Sequence, residues 1–134
     1  QKKHIFSQII QPYEEECKNI DVKNNLYFDT PGNLLKKFLL LSKSKTAIRE
    51  DSFNYAYFFL DQYMQEKNPL FLTFASFFIE KFYTELCFGN VTNLNNHFKN
   101  YSKILRQISD MKNFNLFEKN TLFSIKNILQ HETR

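Results

Sequence analysis

Glycine and proline are scarce in this chain, with two and three respectively among 134 residues, and tryptophan is absent. So few turn-formers exclude a β-sandwich or barrel, whose many short strands need them at every reversal. They also leave no glycine-rich phosphate loop and no nucleophile elbow, and neither a His-Glu-x-x-His pattern nor a paired-cysteine motif occurs. The two cysteines, Cys17 and Cys87, fall short of the disulfide framework of a small secreted domain. Both read as reduced, buried thiols, and the expected location is intracellular. No long hydrophobic run is present either. Leu70 to Ile79 is uncharged, but Glu80, Lys81 and Glu85 follow at once, whereas a bilayer span takes about 20 mostly apolar residues. A buried core helix is expected there, not a membrane span.

Phenylalanine is abundant, at 16 residues. Together with Lys, Asn, Ile and Leu it points to an AT-rich coding sequence, so the positions of these residues carry more information than their frequency. Charge is informative only when divided. Residues 1–89 hold eleven basic and eleven acidic side chains, while residues 90–134 hold seven basic against Asp110, Glu118 and Glu132. The whole net charge of +4 therefore sits in the last third, where it would attract an acidic partner. The chain begins at Gln1 rather than Met and is read as a fragment or processed product, with any targeting segment out of view.

The hydrophobic pattern is helical throughout. Phe6, Ile10, Tyr13, Cys17 and Ile20 mark one side of a first helix. Pro12 kinks or restarts it, and Glu14, Glu15 and Glu16 favour its positive end. A connector over 21–29 leads to a second helix opened by Thr30-Pro31 and carrying Leu34, Leu35, Phe38, Leu39 and Leu41. A third helix runs from Ala47 or Asp51 to Lys67 and buries Phe53, Ala56, Phe59, Leu60 and Tyr63. The fourth, at about 69–88, is capped by Asn68, has Pro69 at its first position and ends at Gly89. Its apolar residues run around most of the cylinder, so it should be the most buried element and the centre of the fold. A fifth helix, capped by Thr92 or Asn93, shows the stripe Val91, Leu94, Phe98, Tyr101, Leu105 and Ile108. A sixth starts from an Asn115/Glu118 capping box and turns Leu122, Ile125 and Leu129 inward.

The expected fold is therefore all-α: a single compact domain over 1–134 with five or six mostly antiparallel helices around the apolar one. Short connectors suit either a closed bundle or a short stack of helical hairpins, and the all-round apolar helix favours the bundle. Residues 1–30 would form a kinked N-terminal helix and connector packed on a 31–134 core.

Candidate sites are few. Lys99, Lys103 and Arg106 recur along one face of the fifth helix, and such a basic face suits phosphate or an acidic partner. A solvated outer face explains the same spacing. Glu80, Lys81 and Glu85 sit on the helix least tolerant of charge; they form its wet stripe or place a carboxylate in a cleft. His97 lies on a polar-to-apolar edge, and neither it nor His4 or His131 has a neighbour at metal-ligand spacing. Asn90-Val91-Thr92 and Asn100-Tyr101-Ser102 match the glycosylation pattern by chance. Phe28, Tyr55, Tyr57 and Phe58, together with Phe53, are too many aromatic residues to point inward from one helix and its lead-in, so some should face a partner.

The leading expectation is a non-catalytic helical protein–protein interaction domain, part of or accessory to a larger assembly. The alternative is weak, sequence-independent nucleic-acid binding through the basic last third. A remote alternative is a small-ligand or enzymatic site beside the apolar helix, using Glu80, Glu85 or His97. No cofactor or metal is expected.

Overall fold

The computed structural model describes residues 51–89, 91–114 and 118–134, together with Gln8, Gly32, Lys36 and Leu39, which are helical. The chain divides into two compact units, residues 1–47 and 48–134, and the second holds nearly all of the described positions. The kinked first helix, the second helix, Cys17 and Phe28 lie outside the described residues, apart from those four positions.

Four α-helices and no strand are found among the described residues: α1 (Ser52–Glu66), α2 (Pro69–Gly89), α3 (Leu94–Phe114) and α4 (Glu118–Glu132), with a 3₁₀ turn at Val91–Asn93 before α3. They correspond to the third through sixth helices read from the sequence. The expected total of five or six is thus not matched by the four counted here.

Local chemistry sets the ends. Asp51 caps α1, its carboxylate accepting from the Asn54 backbone N–H at 2.8 Å, which satisfies one orphan donor of the first turn. Lys67 ends α1 in the left-handed region at φ 57°. Asn68 Oδ1 then accepts from Leu70 N at 3.0 Å, and Pro69 starts α2. Gly89 behaves differently from expectation. It is the last residue of α2, not the first beyond it, and its φ is not positive; its lack of a side chain is not used for a left-handed cap.

α1 packs on α2, α2 on α3, α3 on α4, and α4 returns to α1, so the second unit is a closed four-helix bundle with antiparallel neighbours. The core is aromatic. Phe59 stacks on Phe78 with ring centroids 5.8 Å apart and meets Phe74 edge-on at 5.2 Å, geometries favoured by the ring quadrupole. Ala56, Phe59, Leu60 and Tyr63 of α1 are buried, whereas Phe53 is half-buried and packs at the margin against Phe82. α2 has the most buried residues, including Phe71, Phe74, Phe78 and Phe82, and keeps a wet stripe of Thr73, Glu80 and Thr84. Leu122, Ile125 and Leu129 are the buried face of α4, as their spacing implied.

α3 is rotated relative to its expected stripe. Its buried residues are His97, Ile104, Ile108 and Met111, with Tyr101 half-buried. Leu94, Phe98 and Leu105 are exposed, and the side chain of Val91 lies outside the described residues. The apolar arc of α3 is wider than the bundle interior, and the interior takes the edge that carries His97. Glu118 also departs from the capping box. Its carboxylate accepts from Tyr63 Oη at 3.0 Å and Lys67 Nζ at 2.6 Å, tying the start of α4 to the end of α1, while Asn115 lies outside the described residues.

Candidate functional site

Antiparallel order brings the end of α2, the start of α3 and the end of α4 to one end of the bundle. There His97 of α3 meets Glu132 of α4, with Nδ1 2.6 Å from Oε2. Both side chains are more than nine-tenths buried, with 9% and 7% of their surface exposed. Asn100, one turn further along α3, donates from Nδ2 to the other carboxylate oxygen, Oε1. A buried carboxylate requires such compensation, and here two side chains of one helix supply it. Because Nδ1 faces a carboxylate oxygen, it carries the hydrogen in the neutral ring, and Nε2 is left as an acceptor.

Nε2 is buried and finds no hydrogen-bond partner among the described residues. Tyr83 Oη, on α2, is in the same condition. Burial pushes the Tyr83 hydroxyl far above the ordinary tyrosine range, and the nearby Glu132 carboxylate pushes it further. Glu132 is thus close enough to act on Tyr83 both through its field and as a hydrogen-bond acceptor for the hydroxyl, though not at ordinary hydrogen-bond distance and angle.

Two grooves flank this cluster, each of about 290 Å³. One is polar, with Asn93, Asn96, Lys99 and His131 around the His97–Glu132 pair. The other lies between α2 and α3. His97, Tyr83 and Tyr101 line it with Cys87, Glu80 and Thr84, and Phe88 and Phe98 rim it. Phe88 and Phe98 are 86% and 71% exposed, which places them at its mouth. Tyr101 packs on Tyr83 with centroids 5.3 Å apart, and burial, aided by the Glu80 carboxylate, raises its hydroxyl as well.

The sequence-derived candidates divide accordingly. Glu80 and His97 come together on the α2–α3 groove, whereas Glu85 is elsewhere and accepts from Ser52 Oγ at 3.2 Å. Glu80 and Glu85 are exposed, but Lys81 is half-buried, so the three do not form one wet stripe. Cys87 is a free thiol, half-buried on the groove wall instead of deep in the core. Asn100 has its amide engaged by Glu132, which leaves no free glycan acceptor there. Lys99, Lys103 and Arg106 are all exposed on the outer face of α3, with no ion pair to a carboxylate among the described residues; Asp110 shares that face.

Tyr55, Tyr57 and Phe58 are half-buried, not outward-facing. Tyr55 packs on Phe78 at 5.0 Å, Phe58 on Phe59 at 5.2 Å, and Tyr57 lies under Lys126 Nζ at 4.8 Å. Lys126 also pairs with Asp61, which joins α4 to α1 beside that ring. The exposed aromatics are instead Phe88, Phe98, Phe114 and Phe123.

No local sequence signal marks Glu132 as the partner of His97, because 35 residues separate them. An antiparallel α3–α4 hairpin supplies the signal. Residues at corresponding heights on the two helices face each other, as Gln107 and Ser124 also do at 2.9 Å.

Among the described residues no group of three or more His, Cys, Asp or Glu side chains is placed to hold a metal ion, and no helix is long and apolar enough to cross a membrane. Fold and site together define an all-α bundle with an aromatic core and an aromatic-rimmed groove over a buried His–Glu pair. The chain matches no family model, and neither curated proteins nor solved structures show significant similarity to it.

Proposed function

We propose that the chain is a non-catalytic helical protein–protein interaction domain, part of or accessory to a larger assembly, and that the α2–α3 groove is the contact. One observation carries this reading: Phe88 and Phe98, from different helices, are both largely exposed and both line one groove. Clustered exposed aromatics cost solvation with no return in the isolated domain, and such residues are enriched where partners anchor. The site argues against catalysis through its contents. His97 has an orienting carboxylate, but no nucleophile or second acid lies within hydrogen-bond reach of Nε2 among the described residues.

Replacing both residues, Phe88→Asp and Phe98→Asp, should leave the melting temperature nearly unchanged, because both are exposed. The same variant should lose a stoichiometric partner that co-purifies with the native chain and is identified by mass spectrometry. A native chain that is strictly monomeric in mass photometry and has no stoichiometric partner overturns the proposal.

A second reading, weak sequence-independent nucleic-acid binding, is favoured by the three exposed cations on the outer face of α3. Binding would fall steeply with salt, and changing Lys99, Lys103 and Arg106 to Glu would abolish it. No association at low salt removes this reading.

A further inference from the structure

We propose that the outer seam between α2 and α3 takes an amphipathic helix of the partner protein, its apolar face on Leu94, Phe98, Leu105 and Phe88 and its carboxylates against Arg106, Lys99 and Lys112. This deepens the interaction-domain reading and rests on it.

At about 100° per residue, Leu94, Phe98 and Leu105 fall within about 40° of one another around α3, beside the buried arc of His97, Ile104, Ile108 and Met111. All three are exposed. The same line runs on from Phe98 through Leu105 to Lys112, in the last turn. On one side it is bordered by α2, whose exposed Glu80, Thr84 and Phe88 recur at intervals of four and line one groove with Phe98 and Tyr101. On the other side Arg106 and then Lys99 come next around the cylinder, while Lys103 and Asp110 lie at its back. Single exposed apolar side chains are ordinary; a row of them shared by two helices marks a contact.

Shape and charge choose the occupant. No strand occurs among the described residues, so a peptide has no sheet edge to extend, and a furrow between two helices suits the helix-in-groove mode of recognition. Leu94 to Leu105 spans about 16 Å at 1.5 Å per residue, about three turns of a docked helix, and Lys112 lies about 10 Å farther. α3 carries Lys99, Lys103, Arg106 and Lys112 against Asp110 alone, and none of these cations has an ion pair to a carboxylate among the described residues. Three of them edge the apolar row. Carboxylates on the occupant are drawn to them, whereas basic flanks meet like charge. Glu80 asks for the opposite along α2, so the acidic side of the docked helix is the one turned away from α2.

The test titrates the full chain, ¹⁵N-labelled, with capped helical peptides of about four turns. One carries a leucine stripe flanked by Glu, a second the same stripe flanked by Lys, and a third the residues of the first scrambled to destroy the stripe. At low salt the Glu-flanked peptide should bind about tenfold or more tightly than either of the others. Shifts should centre on Phe88, Leu94, Phe98 and Leu105. Lys99→Glu with Arg106→Glu, both exposed, should shrink the preference over the Lys-flanked peptide to about threefold or less. Phe98→Ala with Leu105→Ala should shrink the preference over the scrambled peptide in the same way. Equal affinity for the Glu- and Lys-flanked peptides, equal affinity for the scrambled one, or shifts centred elsewhere overturns the proposal. Tighter binding of a short poly(U) RNA or of phosphatidylserine vesicles also overturns it, by assigning the cations to nucleic acid or to a membrane. Dimerisation of the native chain that Phe98→Ala abolishes overturns it by assigning the row to a second copy. If the Phe88/Phe98 variant loses its partner while the three peptides bind equally, the interaction face stands and recognition of an acidic helix falls. A preference for the Glu-flanked peptide without any stoichiometric partner refutes the assembly reading instead.

Discussion

Replacing Tyr83 with phenylalanine should stabilise the protein. The residue is 3% exposed, and its ring is held by Phe82 at 5.4 Å and Tyr101 at 5.3 Å. None of that packing depends on the hydroxyl. A buried hydroxyl with a partner contributes about 1 kcal/mol, so its loss normally destabilises. Here the oxygen has no partner at ordinary hydrogen-bond geometry among the described residues, Glu132 reaching it only imperfectly, and an unsatisfied buried polar atom costs about 1–3 kcal/mol. Tyr83→Phe removes that penalty, and a gain of about 1 kcal/mol is expected after allowance for local relaxation. For a chain of this size the melting temperature should rise by roughly 2–6 °C. Urea denaturation at pH 7 should show a higher midpoint with an unchanged slope. The alkaline limb gives a second readout. Burial and Glu132 hold the folded-state hydroxyl above its unfolded value, which is about 10. Its contribution is therefore complete below about pH 10 and is lost as pH rises past that value. The variant should lose part of that alkaline destabilisation; Tyr57, Tyr63 and Tyr101, also raised, retain the rest. A variant less stable than the native protein by 1 kcal/mol or more would refute the reasoning and show that the hydroxyl is paired with Glu132.

Phe78→Ala should cost about 3–5 kcal/mol in paired denaturation curves, because the ring is fully enclosed between Phe59, Tyr55 and Phe77. Lys103→Ala, on the exposed face of α3, should stay within about 0.5 kcal/mol in the same assay; equal effects would show that α2 is not a core element. Glu132→Ala strands His97 and Asn100 together and should cost about 3 kcal/mol by denaturant titration. Hydrogen bonds from Lys67 and then Tyr63 hold the Glu118 carboxyl below the usual range, so its contribution is present above about pH 4.5 and lost as pH falls through the lowered value. Stability measured from pH 7 down to pH 3 should therefore fall less in Glu118→Gln.

The helices of the second unit were legible because they rest on local signals. Asn68-Pro69 fixes the start of α2, and Leu122, Ile125 and Leu129 repeat at helical spacing on α4. The rotation of α3 was not legible from the same signal. Hydrophobic periodicity gives weight to Phe98 and none to His97, yet a histidine paired with a carboxylate enters a core that a neighbouring phenylalanine can leave. Crowding on one helix suggested that some of Tyr55, Tyr57 and Phe58 face a partner; all three are half-buried, Tyr55 against Phe78 of α2, Tyr57 beneath Lys126 of α4 and Phe58 against Phe59 of its own helix. Half of the groove was visible, since Glu80 and His97 were both candidates. What joins them to Tyr83 and Glu132 is antiparallel packing, a relation between helices that no single stretch of sequence contains.

The α1–α4 pairing also has a mechanical meaning. An up-and-down bundle of four helices returns the chain to the end at which it started: Ser52 bonds Glu85 and His97 bonds Glu132 at one end, while Lys67 bonds Glu118 at the other. Tension applied between residues 51 and 132 would therefore peel α4 from α1 like a zipper instead of shearing them in parallel. Separation would begin at the groove end, break Asp61–Lys126 next, and reach Tyr63, Lys67 and Glu118 last. Resistance would come from one tie at a time, so the domain should yield at low force. The groove end would open while the far end still held.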